Sequence, residues 1–172
     1  MSRSERPIPV YPPRQAGSHA SCLDAVPAGA VAGLWAGFVS SAPGLVYAVT
    51  SGRGIWEPMR LVSTVVGLPA GRSFSPMPVA VGGLIHVGLS ALYGAAYAAA
   101  TPPRDSRPVA RGVGYGLLLH VVNLRVVTRA ARFRKLREHT NEPVELLAHA
   151  LYGAALATAL RHPILRGDRC VH

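Results

Sequence analysis

The chain has 172 residues, 49% of them hydrophobic and only 15% charged. Water-soluble domains carry about a quarter charged residues, and disordered chains are more polar still, so neither class fits. Lys and Arg number 18 against 8 Asp and Glu, a net charge of +10. The basic residues lie in short segments between apolar runs. They do not build the aromatic-interleaved basic face of a single-strand binder, so nucleic acid is not an expected partner.

Residues 1–22 are polar, carry Arg3, Arg6, Arg14 and the pair Pro12-Pro13, and hold no apolar h-region. They read as a disordered tail rather than a cleaved signal peptide. Cys22 and Cys170 lie near opposite ends with neither CxxC nor cysteine–histidine spacing, so free thiols are expected. Residues 23–165 read as a single membrane domain, with a short tail at 166–172.

No charged residue occurs over 25–52, a run of 28, or over 73–103, a run of 31. A bilayer core takes about 20 helical residues, so each run can hold a span. The first span is placed at about 25–49. Pro27 falls in its first turn and Pro43 inside it. Next, residues 55–67 read as a short interfacial helix. Trp56 sits at headgroup depth, Glu57 in the first turn, and Arg60, Ser63 and Thr64 share one face.

The second span is placed at about 78–100. Two shorter uncharged runs follow, 112–124 and 146–160, each bounded by a charged residue. Long side chains near span ends can reach the interface, which extends these to spans at about 109–128 and 143–160. Between them Arg129, Arg132, Arg134, Lys135 and Arg137 form a basic run, expected to lie on anionic lipid. The fold class expected is therefore all-α, a four-helix transmembrane bundle with a short interfacial helix between spans one and two. Four crossings put both ends on one side. Each side then carries nine basic residues, so the positive-inside rule gives no orientation.

Small residues recur every four positions. The stripes are Gly29, Gly33, Gly37 and Ser41 in span one; His86, Ser90, Gly94 and Ala98 in span two; Gly112, Gly116 and His120 in span three; and His149, Gly153 and Ala157 in span four. Such stripes let helix backbones approach closely, within one bundle or at a dimer face. The run Ala91-Leu92-Tyr93-Gly94-Ala95-Ala96 recurs as Ala150-Leu151-Tyr152-Gly153-Ala154-Ala155, an imperfect internal echo.

Three histidines fall inside spans. Counted from the side that holds the 1–2 and 3–4 loops, His86 and His120 are about 12 Å deep and His149 about 9 Å. Glu145 is one turn from His149, Asn123 one turn from His120, and Tyr93 and Tyr152 follow the histidines. Arg125 and Glu145 lie nearer the surface, where an ion pair would offset two costly charges. Three readings of this polar layer compete. It is an interhelical hydrogen-bond layer that fixes the packing. Or it is a transition-metal or haem site, with His86, His120, His149 and Glu145 as ligands. Or it is a proton or ion path through titratable groups, as in a small transporter.

Ile85-His86 with Ser90, then Gly114-Tyr115-Gly116-Leu117-Leu118, then Pro143 and Glu145-x3-His149 together resemble the YagU-like bacterial inner-membrane proteins. The likeness covers roughly residues 78–165, and Glu145-x3-His149 is its most specific part. The resemblance implies a multi-pass protein of the bacterial inner membrane with both ends cytoplasmic. It brings no biochemical activity with it. No nucleophile elbow, P-loop, dinucleotide glycine pattern or HExxH is present. The sequence thus favours a non-enzymatic structural or accessory membrane subunit. Its expected partners are the lipid bilayer, other membrane subunits or a second copy of itself.

Overall fold

The structure, a computed structural model, describes residues 22–68, 74–101, 106–125 and 141–162, the side chains of 22–24 and 124–125 excepted. Residues 1–21 of the expected N-terminal tail, the tail at 166–172 with Cys170 and the basic run over 129–137 lie outside the described residues, while Cys22, expected in the tail, belongs to the first helix. Every regular element described is helical, in keeping with the all-α expectation. The elements are α1 (Cys22–Thr50), α2 (Glu57–Ser63) with a 3-10 turn at Thr64–Val66, α3 (Pro76–Ala100), α4 (Pro108–Arg125) and α5 (Glu142–Ala159).

Local chemistry sets the helix ends. At α5, Asn141 is extended and its side chain accepts from the Val144 amide at 3.4 Å, with Pro143 and two acids, Glu142 and Glu145, in the first turn. That is the pattern a helix start favours, because free amides and the dipole both attract oxygen and negative charge. Proline also opens α3, which begins at Pro76. The turn after α2 closes at Gly67, whose φ of 84° is open to glycine and strained for most other residues. At α1 the outcome differs from expectation. The helix begins at Cys22, three residues early, so Pro27 as well as Pro43 lies inside it and not in its first turn.

Two helices are long and apolar enough to cross a membrane, Ala25–Thr50 within α1 and Pro76–Ala100. The other two long helices have 18 described residues each and include charged ones.

Round the molecule the packing order is α3, α1, α5, α4, with α2 laid against α3. Small residues make the close seams. A Cβ added at Gly29 would meet the Ala98 side chain at 2.5 Å and the Gly94 carbonyl at 2.6 Å, and one at Gly33 would collide with the Ser90 carbonyl. Across the other seam Gly112 meets Gly153 and Ala157, while Gly116 meets the His149 carbonyl. The stripes read from the sequence therefore face each other in pairs, within one bundle.

The two helix pairs correspond in register. Gly94 lies against Gly29 and Gly33 as Gly153 lies against Gly112 and Gly116, and Ser90 meets Gly33 as His149 meets Gly116. The repeated Ala-Leu-Tyr-Gly-Ala-Ala run thus occupies equivalent places in α3 and α5. The halves then diverge where it matters. By this register, Ala32 and Ala36 of α1 stand where α4 has Tyr115 and Leu119. Ala32 and Ala36 are fully buried, and α1 closes on α5. Bulk at the matching places keeps α4 off α3, and aromatic side chains fill that seam. Tyr97 and Tyr115 pack with ring centroids 5.0 Å apart, and the Tyr115 hydroxyl donates to the Tyr93 carbonyl at 2.8 Å.

α2 adds a detail the sequence does not settle. Its Arg60, Ser63 and Thr64 face is buried, while Trp56 and Val66 are exposed. Its backbone at Met59 lies directly on Gly82 of α3, where a Cβ would overlap it. Arg53 ties the junction to α1, 3.9 Å from Glu57 and 5.3 Å above the Tyr47 ring.

Candidate functional site

The same register places His120 of α4 where α1 has Gly37, and His149 of α5 where α3 has Ser90. Each histidine belongs to the stripe that faces the other helix, so the two imidazoles meet. Their ring centroids are 5.3 Å apart at an interplanar angle of 69°, edge to face.

His149 is held by two further bonds. Its Nδ1 lies 2.8 Å from the Glu145 carbonyl oxygen one turn earlier. A carbonyl only accepts, so Nδ1 carries the proton and Nε2 presents a lone pair. Asn123 lies 3.0 Å from that Nε2 and donates to it through its amide NH2. The amide oxygen of Asn123 is then left to accept from the Tyr93 hydroxyl at 3.3 Å. The result is one polarised run, Tyr93 to Asn123 to His149 to the Glu145 carbonyl, crossing from α3 through α4 to α5. Beside it the buried Tyr152 hydroxyl donates to the Ser90 carbonyl at 2.7 Å, closing α5 onto α3.

His120 differs from its neighbour. It is 6% exposed and its ring packs against that of His149; among the described residues no group hydrogen-bonds either ring nitrogen. The Glu145 side chain is half-buried on the same α5 face, and among the described residues nothing hydrogen-bonds it. The side chain of Arg125 lies outside the described residues, and with it the expected Arg125–Glu145 ion pair.

His86 does not join this group. It stands on the α3 stripe that faces α1, so its Nε2 lies 3.2 Å from Ser41 Oγ and 3.3 Å from the Gly37 carbonyl. Equal depth was legible in the sequence; the opposite azimuth followed from the stripe. The Ser41 hydroxyl donates to the Gly37 carbonyl at 2.8 Å, so its proton is committed there and His86 Nε2–H is the donor toward Ser41. That arrangement bonds two helices and is not a nucleophile with its base.

The four-residue metal set of His86, His120, His149 and Glu145 is accordingly not assembled as one. Among the described residues no three His, Cys, Asp or Glu side chains are placed to hold a metal ion. The His120 and His149 rings touch edge to face, which leaves no slot between them for a haem macrocycle. Of the expected polar layer the structure joins Asn123, Tyr93 and His149 with His120 beside them, and places Tyr152 at Ser90. Sequence reading missed Tyr115 and Tyr97. For Tyr115 the signal available was the α4 register, in which a tyrosine stands where α1 has Ala32, beside its stripe.

No family model, no curated protein and no solved structure matches this chain.

Proposed function

We propose that the chain is a multi-pass protein of the bacterial inner membrane, a four-span bundle of α1, α3, α4 and α5 with α2 lying at the interface. The reading rests on one observation, the inverted distribution of side chains. Most covered positions are small or polar, such as Ala32, Ala36, Ser90, Ala157 and His120, with Leu119 and Leu156 the covered leucines, while Phe38 is 75% exposed, Leu84 73% and Met77 66%. Only 33% of the α1 window and 17% of the α3 window is buried. A core helix of a water-soluble protein is mostly covered, whereas lipid tails accept large apolar side chains and leave the interior to small residues and hydrogen bonds. The faces of α4 and α5 repeat the pattern, with Leu117, Leu118, Val121, Val122, Leu146 and Leu147 outward. Of these shorter helices α5 packs on α1 and α4 on α5, which supports counting them as spans.

In this reading the protein is a non-enzymatic structural or accessory subunit. Its polar run from Tyr93 to Glu145 fixes the mutual rotation of three helices that lipid alone would leave free. The bacterial inner membrane and cytoplasmic ends follow from the resemblance of residues 78–165 to the YagU-like proteins. Carbonate extraction and reporter fusions test it. The chain should stay in the membrane fraction, and reporters fused after residues 70, 104, 135 and 165 should alternate sides. Release into the soluble fraction would overturn the membrane reading, and a break in the alternation would remove the four-span one.

A further inference from the structure

We propose that His149 is an acid-responsive switch: one proton taken up at its Nε2 turns the Asn123 amide over and reverses the hydrogen-bond run that ties α5 and α4 to α3. The proposal rests on the bundle reading above and deepens it, since it gives the polar run a regulation.

The chemistry of its members fixes the direction of the run. The Glu145 carbonyl only accepts, so the His149 Nδ1 at 2.8 Å carries the ring proton. The bare Nε2 accepts from the Asn123 NH2 at 3.0 Å, and the amide oxygen is left to accept from the Tyr93 hydroxyl at 3.3 Å. A proton on Nε2 sets an N–H against an NH2, two donors face to face. A carboxamide has one donating and one accepting end, so half a turn restores the match. Its oxygen then accepts from the imidazolium in a charge-assisted bond, stronger than the neutral one it replaces. The NH2 comes to face the Tyr93 hydroxyl, which changes from donor to acceptor. A proton bound on α5 is thereby read on α3.

Water can deliver that proton. Among the described residues nothing hydrogen-bonds His120 or the Glu145 carboxylate, yet their polar atoms keep accessible surface. The titratable groups round His149 are His120 on α4, His86 and Tyr93 on α3, and Glu142 and Glu145 on its own helix. Beside His86, α1 brings Ser41 and no charge. The side chain of Arg125 lies outside the described residues. The His120 and His149 rings touch, and two imidazolium rings in contact repel, so the pair takes up one proton. His149 is the member with an acceptor in reach of each ring nitrogen.

His86 is the internal comparison. Its Nε2–H already donates, 3.2 Å from Ser41 Oγ and 3.3 Å from the Gly37 carbonyl. A second proton goes to its Nδ1 and leaves those contacts as they are. Acid therefore preserves the bond between α1 and α3 and reverses the one between α4 and α5.

The test is nitrogen NMR of the full chain in detergent, with histidine and asparagine labelled, from about pH 8 to about pH 4, a range that brackets free imidazole. At the alkaline end His149 should show a protonated Nδ1 and a bare Nε2. Acid should protonate Nε2, and the Asn123 side-chain amide should shift with the same midpoint. Asn123→Asp sets a carboxylate opposite Nε2 and should hold that proton at a proton concentration about tenfold lower or more. In acid-minus-neutral infrared spectra a tyrosine C–O band should move, and the movement should vanish in both Tyr93→Phe and His149→Gln. An Nε2 still bare at about pH 4 overturns the proposal. So does an Asn123 amide that stays unchanged while Nε2 protonates, or a tyrosine band that still moves in His149→Gln. Should His149→Gln fail to fold, Asn123→Asp decides by itself, and an unchanged proton affinity there overturns the proposal. In a chain retained by the membrane on carbonate extraction, each of these failures leaves the bundle reading standing; release from the membrane removes both.

Discussion

The amide of Asn123 and the Nε2 of His149, 3.0 Å apart, join α4 to α5 at the centre of a run that begins on α3. Removing Asn123 unsatisfies two partners at once, the imidazole lone pair and the Tyr93 hydroxyl. Asn123→Ala should cost about 1–3 kcal/mol, read from unfolding in a fixed detergent. Tyr93→Phe deletes only the longer, outer bond and should cost about 1 kcal/mol or less. The two changes share one link, so the double variant should lose less than the sum of the singles. Strict additivity would mean the run is not a connected unit.

Glycine to larger residue changes separate the seams from the outer surface. Gly153 lies backbone to backbone with Gly112, and any Cβ there overlaps the Gly112 carbonyl. Gly153→Val should destabilise by about 3 kcal/mol or more, since neither helix can move without disturbing the other contacts. Gly114 and Gly88 have nothing within 4 Å of an added Cβ. Gly114→Ala should be neutral or stabilising by up to about 1 kcal/mol, the helix propensity gained. Equal losses at Gly153 and Gly114 would contradict the packing order.

Much of this was legible because uncharged apolar runs and stripes of small residues are visible in the sequence itself. The uncharged runs give α1 and α3 to within a few residues. The weaker pair is found too, because charged residues at 111, 125, 145 and 161 bracket shorter apolar runs. The four-residue stripes already specify which faces meet, and hence that His120 can reach His149. Depth alone could not separate His86 from them. Depth is one coordinate of a helical residue and azimuth the other, and His86 shares its azimuth with Ser90 and Gly94, which face α1. What stayed hidden was the order of packing. That α1 closes on α5 while α3 stands off α4 depends on Ala32 and Ala36 matching Tyr115 and Leu119, a comparison that requires the register of the two halves. The inward polar face of α2 was hidden too, because a short amphipathic helix has the same pattern whichever face is covered.

The unequal seams yield a test at Ala36. It is fully buried where α1 meets α5, and its counterpart by register is Leu119. Ala36→Leu should force α1 off α5 and cost about 1–3 kcal/mol. Tyr115→Ala acts in the opposite direction, emptying the aromatic filling between α3 and α4 and removing the donor to the Tyr93 carbonyl, and should cost about 3–5 kcal/mol as a large-to-small change does. Combined, they should not rescue each other, because they lie in different seams. Rescue would mean that α1 and α4 exchange places more freely than their packing allows.

The chain holds two tryptophans, Trp35 and Trp56, and they should report different depths. Trp35 is 57% exposed on the outer face of α1, stacked with Phe38 at 6.1 Å. It is fifteen residues before the end of the helix at Thr50, a rise of about 22 Å, which in the proposed membrane bundle puts it among acyl chains. Trp56 opens α2 beside Phe74 at 5.7 Å, at the end of the bundle where indoles favour the headgroup region. In bilayers containing lipids brominated at different carbons, the Trp56→Phe variant should be quenched most by deep bromines and little by aqueous iodide. The Trp35→Phe variant should be quenched most by shallow bromines. If iodide reached Trp35 as readily as it reaches free tryptophan, the apolar face of α1 would be in water, and the helix would not be a span.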